Sequence, residues 1–221
     1  MTKDEKKCRP KRHLPKQSRS QETFNAILEA AAELFSEKGY DGATTHAIAK
    51  RAGISVGGLY RYFSGKEPIL KEVYQRQMTE LRQHILQEFG QVDLGAEDIR
   101  ALVRRVMEMA FRAYERRPEL LRVLSEQSRK IPELAELRRC QEKEIHWAVL
   151  QILESVPRVS LPDKEMGAYL ISLFLESLID DHVLYGKTPD HLDEARLIQG
   201  AVDFLFRYVR GEESGERETG R

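Results

Sequence analysis

Apolar residues recur along this chain with a helical period, and nowhere does the alternation of a strand persist. Phe24, Ile27, Leu28, Ala31, Leu34 and Phe35 fall at i, i+3, i+4, i+7 spacing and predict a helix from about 20 to 38. Ser18 and Gln21 fit a capping box at its start, and Gly39 ends it before a turn at Tyr40-Asp41-Gly42. Thr44 or Thr45 can cap a short second helix that stops at Gly53, and Ser55 caps a third that ends near Tyr62. A long helix is expected over about 66–89, where Ile69, Leu70, Val73, Tyr74, Met78, Leu81, Ile85 and Phe89 stay in register. Gly90 and the loop to Gly95 close it. Five further amphipathic segments follow near 97–116, 118–129, 132–156, 162–185 and 190–210. Pro118, Pro132, Pro157, Pro162 and Pro189 punctuate them at helix starts or in loops. The fold class is therefore all-α. A basic tail over 1–19 and a polar tail over 211–221 are expected to be disordered. Between them lie a small three-helix head over 20–65 and a larger helical domain over 66–210.

The stretch Thr45–Ser64, THAIAKRAGISVGGLYRYFS, carries the strongest functional signal. Ile48 and Ala52 give the second helix an apolar side, and Ala49 is small where another helix must cross closely. Gly53 suits a sharp turn that requires positive φ. Ile54 plugs the corner, while Leu59 and Tyr62 supply the inner face of the third helix. This spacing is what a helix-turn-helix needs, and it leaves the outer face of the third helix free to enter a major groove.

Charge sharpens the picture. The chain of 221 residues has 41% hydrophobic and 33% charged residues and no net charge, yet the charge is unevenly placed. Residues 1–66 hold 13 Lys+Arg against 7 Asp+Glu, and the remainder 23 against 29. A basic front half suits a polyanion, whereas an acidic remainder discourages one. The N-terminus has charge but no apolar core, so it is no secretory signal. The longest apolar stretch, Ala168–Leu175, is far too short to span a membrane, and a cytoplasmic location is expected. Cys8 and Cys140 form no metal or redox motif, and no metal or cofactor is expected. Glycine-rich phosphate loops and nucleophile elbows are missing too, which argues against an enzyme.

The run AAELFSEKGYDGATTHAIAKRAGISVGGLYRYFSGKEPIL resembles the TetR family of bacterial transcriptional regulators. Its pieces are F-x-x-x-G-Y-x-x-x-T-T, then I-A-x-x-A-G-I-S, then L-Y-x-Y-F-x-x-K-E, within about 21–74. The resemblance implies a DNA-binding repressor that grips a palindromic operator as a homodimer and is released by a small-molecule effector. It places Thr45 and His46 toward the DNA backbone and makes Ser55, Val56, Gly57, Gly58, Tyr60, Arg61 and Tyr62 line the recognition helix. Lys66 would touch a phosphate. Within that helix only Arg61 can make a two-point contact to guanine, unless it contacts a phosphate instead. Gly57 and Gly58 either let the backbone approach DNA or sit in a first turn where glycine costs little. The tail cations Lys3–Arg19 either enter a minor groove or are simply solvated.

The resemblance also puts the dimer interface on the segments near 162–185 and 190–210. Leu170, Leu173, Phe174, Leu178, Ile179, Ile198, Ala201, Val202, Leu205 and Phe206 exceed what one narrow stripe needs. Val103, Met107, Phe111 and Tyr114 share one side of their helix and, with Trp147 and His182, are candidate effector contacts; such a stripe can equally be ordinary core. His182 with Asp180 and Asp181 could instead be a salt-bridged patch at the dimer edge. The competing class is a helical protein-binding adaptor without effector sensing.

Overall fold

The computed structural model describes residues 18–90, 98–156 and 159–211, and these residues form helices and their connections. The helices are α1 (Ser18–Gly42), α2 (Thr45–Arg51), α3 (Val56–Tyr60), α4 (Lys66–Phe89), α5 (Ile99–Tyr114), α6 (Pro118–Ser128), α7 (Pro132–Ser155), α8 (Lys164–Ile179) and α9 (Glu194–Arg210). The expected basic tail, the loop to Gly95, Pro157 and the polar C-terminal tail lie outside the described residues. No described helix is long and apolar enough to cross a membrane.

Helix ends follow local chemistry. Gly39 breaks α1 with φ 69° and ψ 176°, at the position the pattern assigns as its end. Pro118 and Pro132 each take the first helical position, where the missing N–H forfeits no intrahelical bond. Asp98, Asp163 and Asp193 cap α5, α8 and α9 by accepting from backbone N–H groups of the first turn. The segment expected over 162–185 is not one regular helix. It starts at Lys164, and beyond Ile179 it widens into a π-helical turn over Asp180–Leu184. Tyr185 N–H donates to the Asp180 carbonyl there, and Lys187 N–H to that of Asp181.

The chain divides into two compact units. The first takes the chain to Arg82 together with Arg116–Gln141, so the three-helix head is part of a larger body. Its core joins Ile27, Ala31 and Phe35 of α1 to Ile48, Leu59, Ile69 and Leu70, and further to Leu120, Leu124 and Leu134. Glu29 on α1 binds two guanidinium groups, Arg117 at 2.7 Å and Arg76 at 3.2 Å. These pairs are partly exposed, so the apolar contacts carry most of the packing.

The second unit takes Gln83–Glu115 and the chain from Glu142 onward. Its core includes Met107, Phe111, Ala168, Ile179, Ile198, Ala201, Val202 and Leu205. Ile179, Ile198, Ala201, Val202 and Leu205 are thus buried inside one chain, and only part of the apolar set on these two segments is left over for an interface. An exposed stripe remains on α8, formed by Met166, Tyr169, Leu170 and Leu173, with Phe204 exposed on α9. The Phe204 ring lies 5.0 Å from that of Phe174.

Gly53 has φ +69° although space beside it is open, so only its backbone conformation demands glycine. Gly53→Ala should destabilise the protein by about 1–2 kcal/mol in urea unfolding. An unchanged midpoint would show that this corner carries no strain for a side chain.

Candidate nucleic-acid interface

The sharp corner between α2 and α3 is closed by backbone bonds. Ile54 N–H donates to the Ala49 carbonyl at 3.0 Å, and Gly53 N–H donates to that of Lys50 at 3.2 Å. With Gly53 left-handed, this is a Schellman closure, in which the glycine lets the chain reverse and satisfies the last carbonyls of α2. Thr44 accepts from Ala47 N–H at 3.1 Å to start α2, and Ser55 accepts from Gly58 N–H at 3.0 Å to start α3. Ile48, Ala49 and Leu59 are completely buried between the two helices and the rest of the head.

The opposite side of α3 faces out. Ser55, Gly57, Tyr60 and Arg61 are exposed, and Val56 and Gly58 are half-buried. Tyr60 is 50% exposed, unusual for an aromatic side chain in a well-packed head. Its hydroxyl meets that of Thr45 at 3.3 Å, bringing together two expected DNA-facing residues that lie 15 residues apart. His46 and Arg61 are exposed and make no hydrogen bond or ion pair among the described residues. The two glycines differ. A Cβ on Gly57 would meet nothing within 4 Å, whereas one on Gly58 would lie 3.2 Å from Ser55 Oγ. Gly58 therefore has an internal reason to be small, and Gly57 has none.

Tyr62 is half-buried and its hydroxyl meets Ser20 Oγ at 3.1 Å, tying the first turn of α1 to the end of the recognition segment. Lys66 donates from Nζ to the Tyr40 carbonyl at 2.7 Å and lies 4.1 Å above the centre of the Tyr40 ring. Its ammonium thus already has an internal partner, a role that the phosphate expectation did not include. Burial, with Glu67 and Asp41 nearby, pushes the Tyr40 hydroxyl above its ordinary pKa.

Two contacts escaped the sequence reading. Phe63 is buried and stacks on Phe24 at 5.1 Å, a role signalled by its place four residues after Leu59. Arg51 grips Glu37 with two bonds of 2.7 and 2.8 Å, fixing the end of α2 to α1. The guanidinium hydrogen bond holds the Glu37 carboxyl below its usual range, and Glu37 in turn raises Arg51. Arg51 is thereby engaged, which removes one cation from those free to meet phosphate.

Of the expected effector residues, all but Trp147 lie in or against one core. Met107 and Phe111 are fully enclosed core, with Val103 and Tyr114 partly buried against it. Trp147 is 60% exposed, so it does not line an interior site, because its position on α7 turns away from that core. His182 Nδ1 pairs with Thr188 Oγ1 at 2.9 Å, and its ring packs 5.6 Å from Phe111. Asp181 pairs with Lys187 at 3.5 Å. Among the described residues no group of three or more His, Cys, Asp or Glu is arranged to hold a metal.

Comparisons with known proteins agree with this geometry. Residues 27–73 match the model of bacterial regulatory proteins of the tetR family, and residues 98–208 match a tetracyclin repressor-like C-terminal domain. The transcriptional regulator UidR of Escherichia coli is 24% identical over 83% of this chain and 91% of its own length. A transcriptional regulator from Saccharomonospora viridis, solved in complex with choline, superposes with a TM-score of 0.70 at 18% identity, covering 85% of this chain and 97% of that one. AibR, solved with isovaleryl coenzyme A and operator DNA, gives 0.62 at 19% identity over 83% and 98%. With a helix-turn-helix head and a matching C-terminal region that spans half its length, the chain belongs to the TetR family of DNA-binding transcriptional regulators.

Proposed function

We propose that this regulator is a repressor that binds a two-fold operator as a homodimer and leaves it when a small molecule binds. The observation that carries this reading is the outer side of α3. Gly57, Tyr60 and Arg61 are exposed together, while the opposite side, led by Leu59, is sealed into the core. Such a helix can lie in a major groove without disturbing the packing that holds it.

Roles follow from chemistry. Arg61 would read guanine through its forked donors, and Val56 could meet a thymine methyl. Gly57 would let the α3 backbone come close to the duplex. Ser55, Gly58, Tyr62 and Lys66 act mainly by holding the reading surface in shape, since each has a steric or bonding task inside the head. The Thr45 and Tyr60 hydroxyls, with His46 beside them, would position the head on phosphates.

A single head reads few base pairs, so two copies are needed. The exposed stripe of Met166, Tyr169, Leu170 and Leu173, flanked by Phe204, supports an interface built from α8 and α9. An effector that prefers one dimer shape would change the separation of the two heads. A coupling of about 1–3 kcal/mol would shift DNA affinity roughly 5–150-fold. The relatives solved with choline and with isovaleryl coenzyme A contain ligands of different chemistry, which fits a sensing region that varies in its ligand.

Selecting fragments from a random duplex pool and titrating them at two salt concentrations tests the class. A sequence-selective, salt-sensitive complex is expected, and a helical adaptor would give none. Arg61→Ala should cost about 1–3 kcal/mol on the selected duplex and relax preference at one position. An equal loss on every sequence would make Arg61 a phosphate contact. Gly57→Ala should leave thermal stability equal or higher, because the Cβ enters open space, yet weaken DNA binding. Unchanged affinity would remove the close-approach role. Leu173→Glu should convert the sedimenting species from a dimer of 25.6 kDa chains to a monomer and lower operator affinity. A variant that stays dimeric would move the interface off this stripe.

A further inference from the structure

Residues 20–66 contain five cations, Lys38, Lys50, Arg51, Arg61 and Lys66. The head uses three of them on itself. Arg51 is held by Glu37 and Lys66 by the Tyr40 carbonyl, while Lys38 lies near enough to Glu37 to help hold its carboxyl low. Lys50 and Arg61 are exposed and make no hydrogen bond or ion pair among the described residues. Arg61 stands at the end of the reading helix. Lys50 lies on α2, and neither packing nor pairing within the head calls for a cation there.

The direction of Lys50 follows from the contacts that fix the rotation of α2. Ile48 and Ala49 are completely buried. Arg51 turns to α1, where Glu37 and Glu33 hold its guanidinium. Thr45 turns to α3, where its hydroxyl meets that of Tyr60 at 3.3 Å. One edge of the helix is left over. His46 and Lys50 stand four residues apart along it, and both are exposed. Successive residues turn by about 100°, so this edge follows round from Thr45 and points away from Arg51. Tyr60, Thr45, His46 and Lys50 therefore form one run, which leads from the reading helix onto the outer side of α2.

We propose that the His46–Lys50 edge of α2 is a second DNA contact, laid along the phosphate backbone that flanks the groove occupied by α3, with the Lys50 ammonium on a phosphate. The inference rests on the reading that α3 docks into DNA. The first helix of a helix-turn-helix crosses the backbone while the second enters the groove, so a cation on this edge meets phosphates and no base. The labour is divided accordingly. Arg61 selects sequence, and Lys50 adds affinity and fixes orientation without preference among sequences.

The test titrates the full chain by anisotropy, over a range of salt, against a mixed-sequence duplex and a duplex selected by the wild-type protein. Lys50→Gln should make the salt slope shallower by about 1–2, because each phosphate contact contributes about 0.9 and a dimer presents the contact twice. Its affinity at about 0.1 M salt should fall roughly tenfold on both duplexes, with the ratio between them unchanged. Lys50→Arg, which keeps the charge, should hold the wild-type slope. So should Lys143→Gln, which removes the same charge from an exposed position in the second unit. A cation in the last turn of α2 also suits the helix dipole, but a stabilising role of that kind leaves the slope unmoved. An unchanged slope in Lys50→Gln would overturn the proposal. An equal loss in Lys50→Arg or Lys143→Gln would overturn it too. Ethylation of single phosphates in the selected duplex should block the wild type beside each groove contact, and Lys50→Gln should be indifferent to one of those positions in each half-site. Identical patterns for the two proteins would overturn the placement. Arg61→Ala in the same titrations separates the two readings. If it lowers selectivity while Lys50→Gln behaves as wild type, only the α2 inference fails. If it leaves selective binding intact, the α3 reading fails.

Discussion

The left-handed backbone at Gly53 is the constraint on which the reading head depends. With φ at +69°, the chain leaves α2, closes two backbone bonds onto Ala49 and Lys50, and starts α3 within three residues. That reversal brings Leu59 onto Ile48 and Ala49, all sealed from solvent. A side chain of ordinary chirality at this corner would oppose the turn by about 1–2 kcal/mol. Without the turn the apolar side of α3 has nothing to pack on, and its outer side has no fixed direction.

Around this corner the polar contacts sort into holding and binding roles. Ser55 caps, Tyr62 ties back to Ser20, Lys66 anchors on Tyr40, and Arg51 locks to Glu37. Each uses a residue type that DNA-binding proteins also direct at phosphates, but here the partner is the protein itself. What stays unengaged includes Arg61, His46, Lys50 and the open space at Gly57.

The sequence made the head legible because its demands are local. Capping by Thr44 and Ser55, termination at Gly39 and Gly53, and burial of Ile48 and Leu59 follow from spacing and turn chemistry alone. The larger helical region was legible only as helices. Which stripe of α8 and α9 is core and which is surface depends on neighbours distant in sequence, so the pattern alone does not separate the buried Ile198, Val202 and Leu205 from the exposed Leu170 and Leu173. The same holds for Met107 and Phe111, whose apolar stripe fits a pocket wall and a packed core equally well. Trp147 shows the converse: a large aromatic suggested enclosure but lies on an open face. The π-helical widening after Ile179 left no periodic signature, because it inserts its irregularity through backbone bonds rather than through residue type.

Methylation interference on a duplex selected by the protein tests the central claim most directly, since a methyl group on guanine N7 projects into the major groove. The account predicts that methylated guanines block binding in two patches on one face of the duplex, with centres about 10–10.5 base pairs or a multiple of that apart. Selective binding that tolerates methylation at every guanine of such a site would contradict it.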